Sequence, residues 1–177
     1  MPDLPLLHPD ALTAAQSELY DRIVHGPRAG AAVPVTDEHG HLAGPFNALL
    51  YTPVLGDLVQ RLGAALRFGS SLTDRQRELA TLLVAARARS TYELSAHRTL
   101  AAQAGIDASV IDSLVRGEIP DLPDPRDRAV LQLCQTLLDD PAAARETDLG
   151  PELLVELTIL VGYYQLLARL LTVAGVG

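Results

Sequence analysis

Glu93 and His97 stand four residues apart in the run Ser90-Thr91-Tyr92-Glu93-Leu94-Ser95-Ala96-His97. On a helix that spacing puts both side chains on one face, within hydrogen-bonding reach of each other. A carboxylate beside an imidazole fixes the ring's tautomer and raises its basicity, which makes a general acid/base for proton transfer. Glu78 shares a stripe with Leu82 and Ala85 on the preceding helix and is placed to extend the pair into a relay. Two plainer readings compete. Ser90 and Glu93 fit the capping box S-x-x-E, in which the glutamate folds back onto the helix start. A Glu–His pair at this spacing on an exposed face is worth only about 0.2–0.5 kcal/mol.

Other polar residues offer less. Arg87, Arg89 and Arg98 lie near the run and suit an anionic substrate, although arginine near a helix end also serves the helix dipole. His39 and His41 flank Gly40 beside Asp37 and Glu38. With no His-Glu-x-x-His run and no Cys/His cluster they read as solvated loop residues, and no metal is expected. Cys134 sits among Leu131, Leu133 and Leu137 and reads as a buried, inert thiol. Tyr163 and Tyr164 read as core or interface, or as a pocket-lining hydroxyl.

Composition narrows what these residues can do. The chain has 177 residues, 48% hydrophobic and 20% charged, enough for one domain with a substantial core. Leucine fills 33 positions, valine and isoleucine together 18, which favours helices over strands. All 14 basic residues are arginine. A lysine Schiff base and a Walker A loop are therefore excluded. A net charge of −8 and only five Tyr and two Phe argue against a nucleic-acid surface. One cysteine forms no internal disulfide and no Cys-x-x-Cys redox pair. The opening Met1-Pro2-Asp3-Leu4-Pro5 has no basic region of a targeting signal. The uncharged stretch Leu157 to Ala168 is 12 residues long, too short to span a bilayer. A cytoplasmic protein with no membrane or nucleic-acid partner is expected.

The elements that must position the candidates can be read from caps and breakers. Thr13 and Gln16 open a helix from Ala14 to His25, stopped by Gly26-Pro27. Residues 26–45 form a Gly/Pro-rich loop wrapping the helical body. A second helix follows Thr52-Pro53 to about Arg67. Thr73 and Gln76 open a third, apolar around much of its circumference and hence central, ending near Arg89. The fourth runs from Ser90 to Ala104, stopped by Gly105. Asp107 caps a short fifth, Asp124-Pro125 opens a sixth reaching about Leu138, and Gly150-Pro151 opens a seventh reaching about Ala174. The pattern predicts an all-α bundle of about seven helices in one domain, residues 1–177, with 1–45 the first helix and wrapping loop and 46–177 the core helices.

Several runs in this order resemble the carboxymuconolactone decarboxylase-like proteins, the superfamily that includes alkylhydroperoxidase D. They are Gly44-Pro45-Phe46-Asn47-Ala48-Leu49-Leu50, Arg67-Phe68-Gly69-Ser70-Ser71-Leu72, Arg77-Glu78-Leu79-Ala80, Tyr92 to His97, and Glu156-Leu157 to Tyr164. The resemblance extends from Gly44 to Val176 and implies an AhpD-like helical fold assembled as a homo-oligomer, trimer-based. The hydroperoxidase branch carries a Glu, eleven residues, then Cys-x-x-Cys-x-x-x-His. Here the Glu is Glu78 and the His is His97, but Ser90 and Glu93 occupy the cysteine positions. Serine is far less acidic than a thiol and a carboxylate forms no disulfide, so thiol peroxidase chemistry is disfavoured. The decarboxylase branch, with Glu-x-x-x-His on this helix and no metal or organic cofactor, is closer.

The resemblance thus implies a cofactor-independent lyase or isomerase acting on a small carboxylated or enolisable substrate. His97, Glu93 and Glu78 would be its catalytic residues. Phe46, Asn47, Phe68, Tyr92 and Tyr163 are expected as walls of a shared pocket, with Arg98 for an anionic group. Hydroperoxide reduction and a non-catalytic ligand-binding or scaffold role are the alternatives.

Overall fold

Thr13 and Gln16 open the first helix as their spacing predicts, with the Thr13 N–H donating to Gln16 Oε1 at 2.9 Å. The computed structural model describes residues 4–176, so Met1–Asp3 of the opening segment lie outside the described residues. Within them are eight α-helices: α1 (Ala14–Val24), α2 (Pro45–Leu49), α3 (Pro53–Phe68), α4 (Asp74–Ala88), α5 (Thr91–Gln103), α6 (Ala108–Val115), α7 (Pro125–Asp139) and α8 (Pro151–Ala174). Two 3-10 turns, Pro9–Ala11 and Ala143–Glu146, join them. No strand longer than the isolated Thr36–Leu42 bridge appears among the described residues. The fold is all-α, as expected.

The described residues form two compact units: residues 4–69 with 169–176, and residues 70–168. The boundary falls at Gly69–Ser70. The reason lies in the first unit's core. Leu19 and Ile23 of α1 bury themselves with Leu42, Leu49 and Leu50, and Phe46, Val59 and Leu170 pack around them. The loop and α2 thus belong with α1 and α3. Gly56 of α3 allows the close approach: a Cβ there would stand 2.4 Å from the Leu49 carbonyl oxygen and 2.9 Å from Leu19 Cδ2. The short α2 is an addition to the expected set. It starts at Pro45, just after Gly44 turns with φ +58°, a conformation glycine adopts without penalty.

In the second unit α4 is central, packed against α5, α6 and α7. Every residue from Gln76 to Ala85 is buried. Thr73 and Gln76 make the predicted reciprocal cap, each side chain accepting from the other's backbone N–H at 3.2 Å. Arg75 fastens the start of α4 to α7 through Asp127, 2.7 Å away, and donates to the Gly105 carbonyl at 2.8 Å. Glu156 of α8 holds Ser71, accepting from its backbone N–H at 3.0 Å and from its hydroxyl at 2.5 Å.

Helix α8 is the longest, with 24 residues. It is twice the uncharged stretch read from the sequence, and by length and apolarity it reaches what a membrane span requires, with a mean hydropathy of 1.5. Its buried row contains Leu153, Leu157, Leu160, Leu167 and Leu171. A second row, Val155, Ile159, Leu166 and Val173, is exposed.

Candidate active site

Only Arg89 and Ser90 separate α4 from α5. Arg89 adopts a left-handed conformation, φ +55°, and the Ser90 N–H donates to the Ala85 carbonyl at 3.0 Å. This tight reversal lays α5 back along α4, which brings the second turn of α5 level with the first turns of α4. His97 and Glu78 meet there. His97 Nδ1 and Glu78 Oε2 are 2.6 Å apart, with His97 9% and Glu78 2% exposed. The second Glu78 oxygen lies 3.5 Å from Arg77 Nε, and Arg77 also bonds Asp74 at 2.8 Å.

The partner of His97 is therefore Glu78, not Glu93 as the i, i+4 spacing suggests. Shared helical face says that two side chains are neighbours; it does not say which acceptor a neighbouring helix brings closer. Nor does Glu93 fold back onto the helix start. Ser90 occupies the N-cap position without a side-chain capping bond, so the capping-box reading does not hold. Glu93 is instead 2% exposed, and no protein group hydrogen-bonds either of its oxygens. Burial pushes its carboxyl up to about 8, because a charge in an apolar surround loses hydration that nothing replaces. At neutral pH Glu93 is mostly a carboxylic acid.

Tyr164 completes the cluster. Its ring meets His97 edge-on, centroids 5.1 Å apart and planes at 89°. Burial raises the Tyr164 hydroxyl well above the ordinary tyrosine range, and the nearby Glu78 adds to this. The Thr81 hydroxyl, which makes no hydrogen bond of good geometry, lies close enough to oppose part of that rise. Tyr164 thus stands where the sequence reading put Tyr163. Tyr163 is buried but stacks edge-on against Tyr164 at 5.4 Å. The missed signal was the spacing of α8, where Tyr164 continues the buried row Leu153, Leu157, Leu160, Leu167, Leu171.

The other predicted residues are differently engaged. Arg98 is half exposed and pairs with Asp112 of α6, so its guanidinium is already neutralised. Tyr92 is partly buried and, through burial and then Glu93, pushed above the usual tyrosine range. Phe46, Asn47 and Phe68 lie in the first unit. Phe46 packs on its core with the Arg28 guanidinium 5.2 Å from the ring. The Asn47 side chain accepts from the Leu7 N–H at 2.9 Å and donates to its carbonyl at 3.1 Å. Phe68 is exposed beside Arg67.

His41 bonds Asp37 through Nδ1 at 2.9 Å, and its ring touches those of His8 and His39. Among the described residues no group of His, Cys, Asp and Glu has the arrangement of a metal site. Cys134 is buried, its thiol pushed up to about 12 by burial. A groove of about 340 Å³ between α7 and the 3-10 turn at Ala143–Glu146 holds none of the predicted site residues.

Chemically, the cluster offers a histidine oriented through Nδ1, a buried proton-bearing carboxyl one helical turn away, and an aromatic wall. Residues 53–136, which include Glu78, Glu93 and His97, match the family model described as the carboxymuconolactone decarboxylase family. No curated protein matches the chain significantly.

Proposed function

We propose, for a chain that belongs through residues 53–136 to the carboxymuconolactone decarboxylase family, a cofactor-independent lyase or isomerase that moves protons on a small carboxylated or enolisable substrate. One observation carries this reading: the 2.6 Å contact of His97 Nδ1 with Glu78 Oε2, beside the buried and unpartnered Glu93. With Nδ1–H donating to the Glu78 carboxylate, Nε2 is the nitrogen left to take a proton from carbon. Glu78 then stabilises the imidazolium that forms, a positioning role. Glu93, holding its proton at neutral pH, supplies the matching acid. Two carboxyl groups whose surroundings differ so strongly suit opposite tasks: one stays an acceptor, the other a donor.

A stability argument supports function over a passive scaffold. A buried carboxyl without a partner costs roughly 1–3 kcal/mol, and such groups concentrate where proton transfer is needed. Peroxide reduction finds no support, since the only thiol, Cys134, lies on α7 and is strongly disfavoured as a thiolate. Assembly as a trimer-based homo-oligomer fits the exposed apolar rows Val54, Leu55, Leu58 and Leu62 of α3 and Val155, Ile159, Leu166 and Val173 of α8. The reading is tested by offering the protein a panel of unsaturated lactone acids and enolisable ketones in D2O. Deuterium entry at carbon, or CO2 release, above the protein-free rate is expected. Neither event across the panel would contradict it.

A further inference from the structure

The four arginines of α4 and α5 are already engaged. Arg77 pairs with Asp74 and reaches Glu78, and Arg98 pairs with Asp112 on α6. Arg75 holds Asp127, and Arg87 holds Asp139. Facing His97 and Tyr164 are two buried carboxyl groups, Glu78 and Glu93. A substrate carboxylate brought here would find these guanidinium groups already paired and would lie at low dielectric beside two buried carboxyl groups. A carbonyl oxygen meets no such barrier and finds in Glu93 a donor that no protein group occupies.

From this charge arrangement, and resting on the acid–base reading above, we infer that the site takes a substrate uncharged at its reacting end, a neutral enolisable ketone or lactone, whose carbonyl oxygen bonds the Glu93 carboxyl while His97 Nε2 removes the adjacent proton. Side chains four apart on a helix have Cβ atoms about 5–6 Å apart, which spans a carbonyl oxygen and the carbon next to it. In the step, the C–H bond breaks and its proton goes to Nε2. Its electron pair forms the carbon–carbon double bond of the enol, and the Glu93 proton forms the new O–H bond. Return of the imidazolium proton to the far carbon of the conjugated system, with the O–H proton going back to the Glu93 carboxylate, gives an isomerised product. Nothing is oxidised, and both residues recover their starting states. The protonation of Glu93 at neutral pH that burial imposes makes the donor available, as a carboxylic acid kept neutral in an apolar site is suited to be.

The test uses two butenolides that share one ring: neutral α-angelica lactone, whose ring CH2 lies next to the carbonyl, and its analogue with a carboxymethyl group in place of the methyl. The full chain is incubated with each in D2O at neutral pH. Ring-carbon deuteration is followed by NMR and binding by saturation transfer. The neutral lactone is expected to bind and to exchange faster than the carboxymethyl analogue by roughly tenfold or more, as like-charge juxtaposition implies. Glu93→Gln is expected to keep binding of the neutral lactone and to slow its exchange. Equal or faster exchange of the carboxymethyl analogue would overturn the inference while leaving the acid–base reading intact. Preferred binding of the neutral lactone with no exchange of either would uphold the charge preference and overturn the acid–base reading instead. Binding of neither at millimolar concentration would overturn the inference.

Discussion

His97 Nδ1 lies 2.6 Å from Glu78 Oε2, across the α4–α5 hairpin and 19 residues apart in sequence. Nothing exposed to water separates them, since Glu78 is 2% exposed. A contact this short between a ring nitrogen and a carboxylate selects one tautomer and one ring orientation. The acid–base capacity of His97 is therefore set by α4 as much as by its own helix.

Replacing Glu78 by Gln should leave the hairpin folded but release that tautomer. Nitrogen-detected NMR of the five histidines is expected to show two rings protonated at Nδ1 when neutral in the wild type, His97 and the Asp37-bonded His41, with His97 alone losing that preference in Glu78→Gln. The pH dependence of carbon deuteration should shift with it, and the rate should fall by up to about 10⁴-fold, as when an orienting carboxylate becomes an amide. An unchanged tautomer and pH profile would show that Glu78 only packs.

Glu93 makes a prediction about stability. Its carboxyl is raised from 4.5 to about 8 by burial, so the folded chain binds more protons than the unfolded one between those values. Stability contributed by the protonated carboxyl is complete below pH 4.5 and is lost as pH rises through about 8. The slope is at most ~1.4 kcal/mol per pH unit. Glu93→Gln stays neutral throughout and should gain on the wild type as pH rises across this window, measured by urea unfolding. A difference independent of pH would mean that Glu93 is solvated or paired in solution.

Gly56 tests the first unit. Alanine favours a helix over glycine by about 1 kcal/mol, but its methyl would stand 2.4 Å from the Leu49 carbonyl oxygen. Backbone yields less readily than a side chain, so overpacking of about 1–3 kcal/mol prevails. Gly56→Ala should lower the melting temperature, and a rise would show that α2 moves easily.

Much of this fold was legible because its helices announce their ends. Thr73 with Gln76, Asp124 with Pro125 and Gly105 bracket elements within a residue or two of where they lie. The five-residue α2 escaped notice because one turn carries no periodicity to read. The site was legible in its membership and not in its wiring. Glu78, Glu93 and His97 could be picked out, but spacing on one helix suggested Glu93 as the partner of His97, and only the turn at Arg89–Ser90 brings Glu78 closer. On α8, apolar on most sides, Tyr163 and Tyr164 differ only in which row they continue.

The exposed rows on α3 and α8 predict self-association. Sedimentation at micromolar concentration should give a multiple of 18.9 kDa, with a trimer or a multiple of one expected. A single species at the monomer mass would remove the oligomeric part of the reading.

The most direct test of the account is His97→Asn, with melting temperature and deuteration of α-angelica lactone measured on the same sample. Asparagine fills the site and hydrogen-bonds Glu78 but cannot exchange a proton near neutrality. The account predicts a folded protein whose deuteration rate falls by roughly 10²–10⁴-fold, the usual worth of a general acid/base. A well-folded His97→Asn protein that deuterates the lactone at the wild-type rate would contradict it.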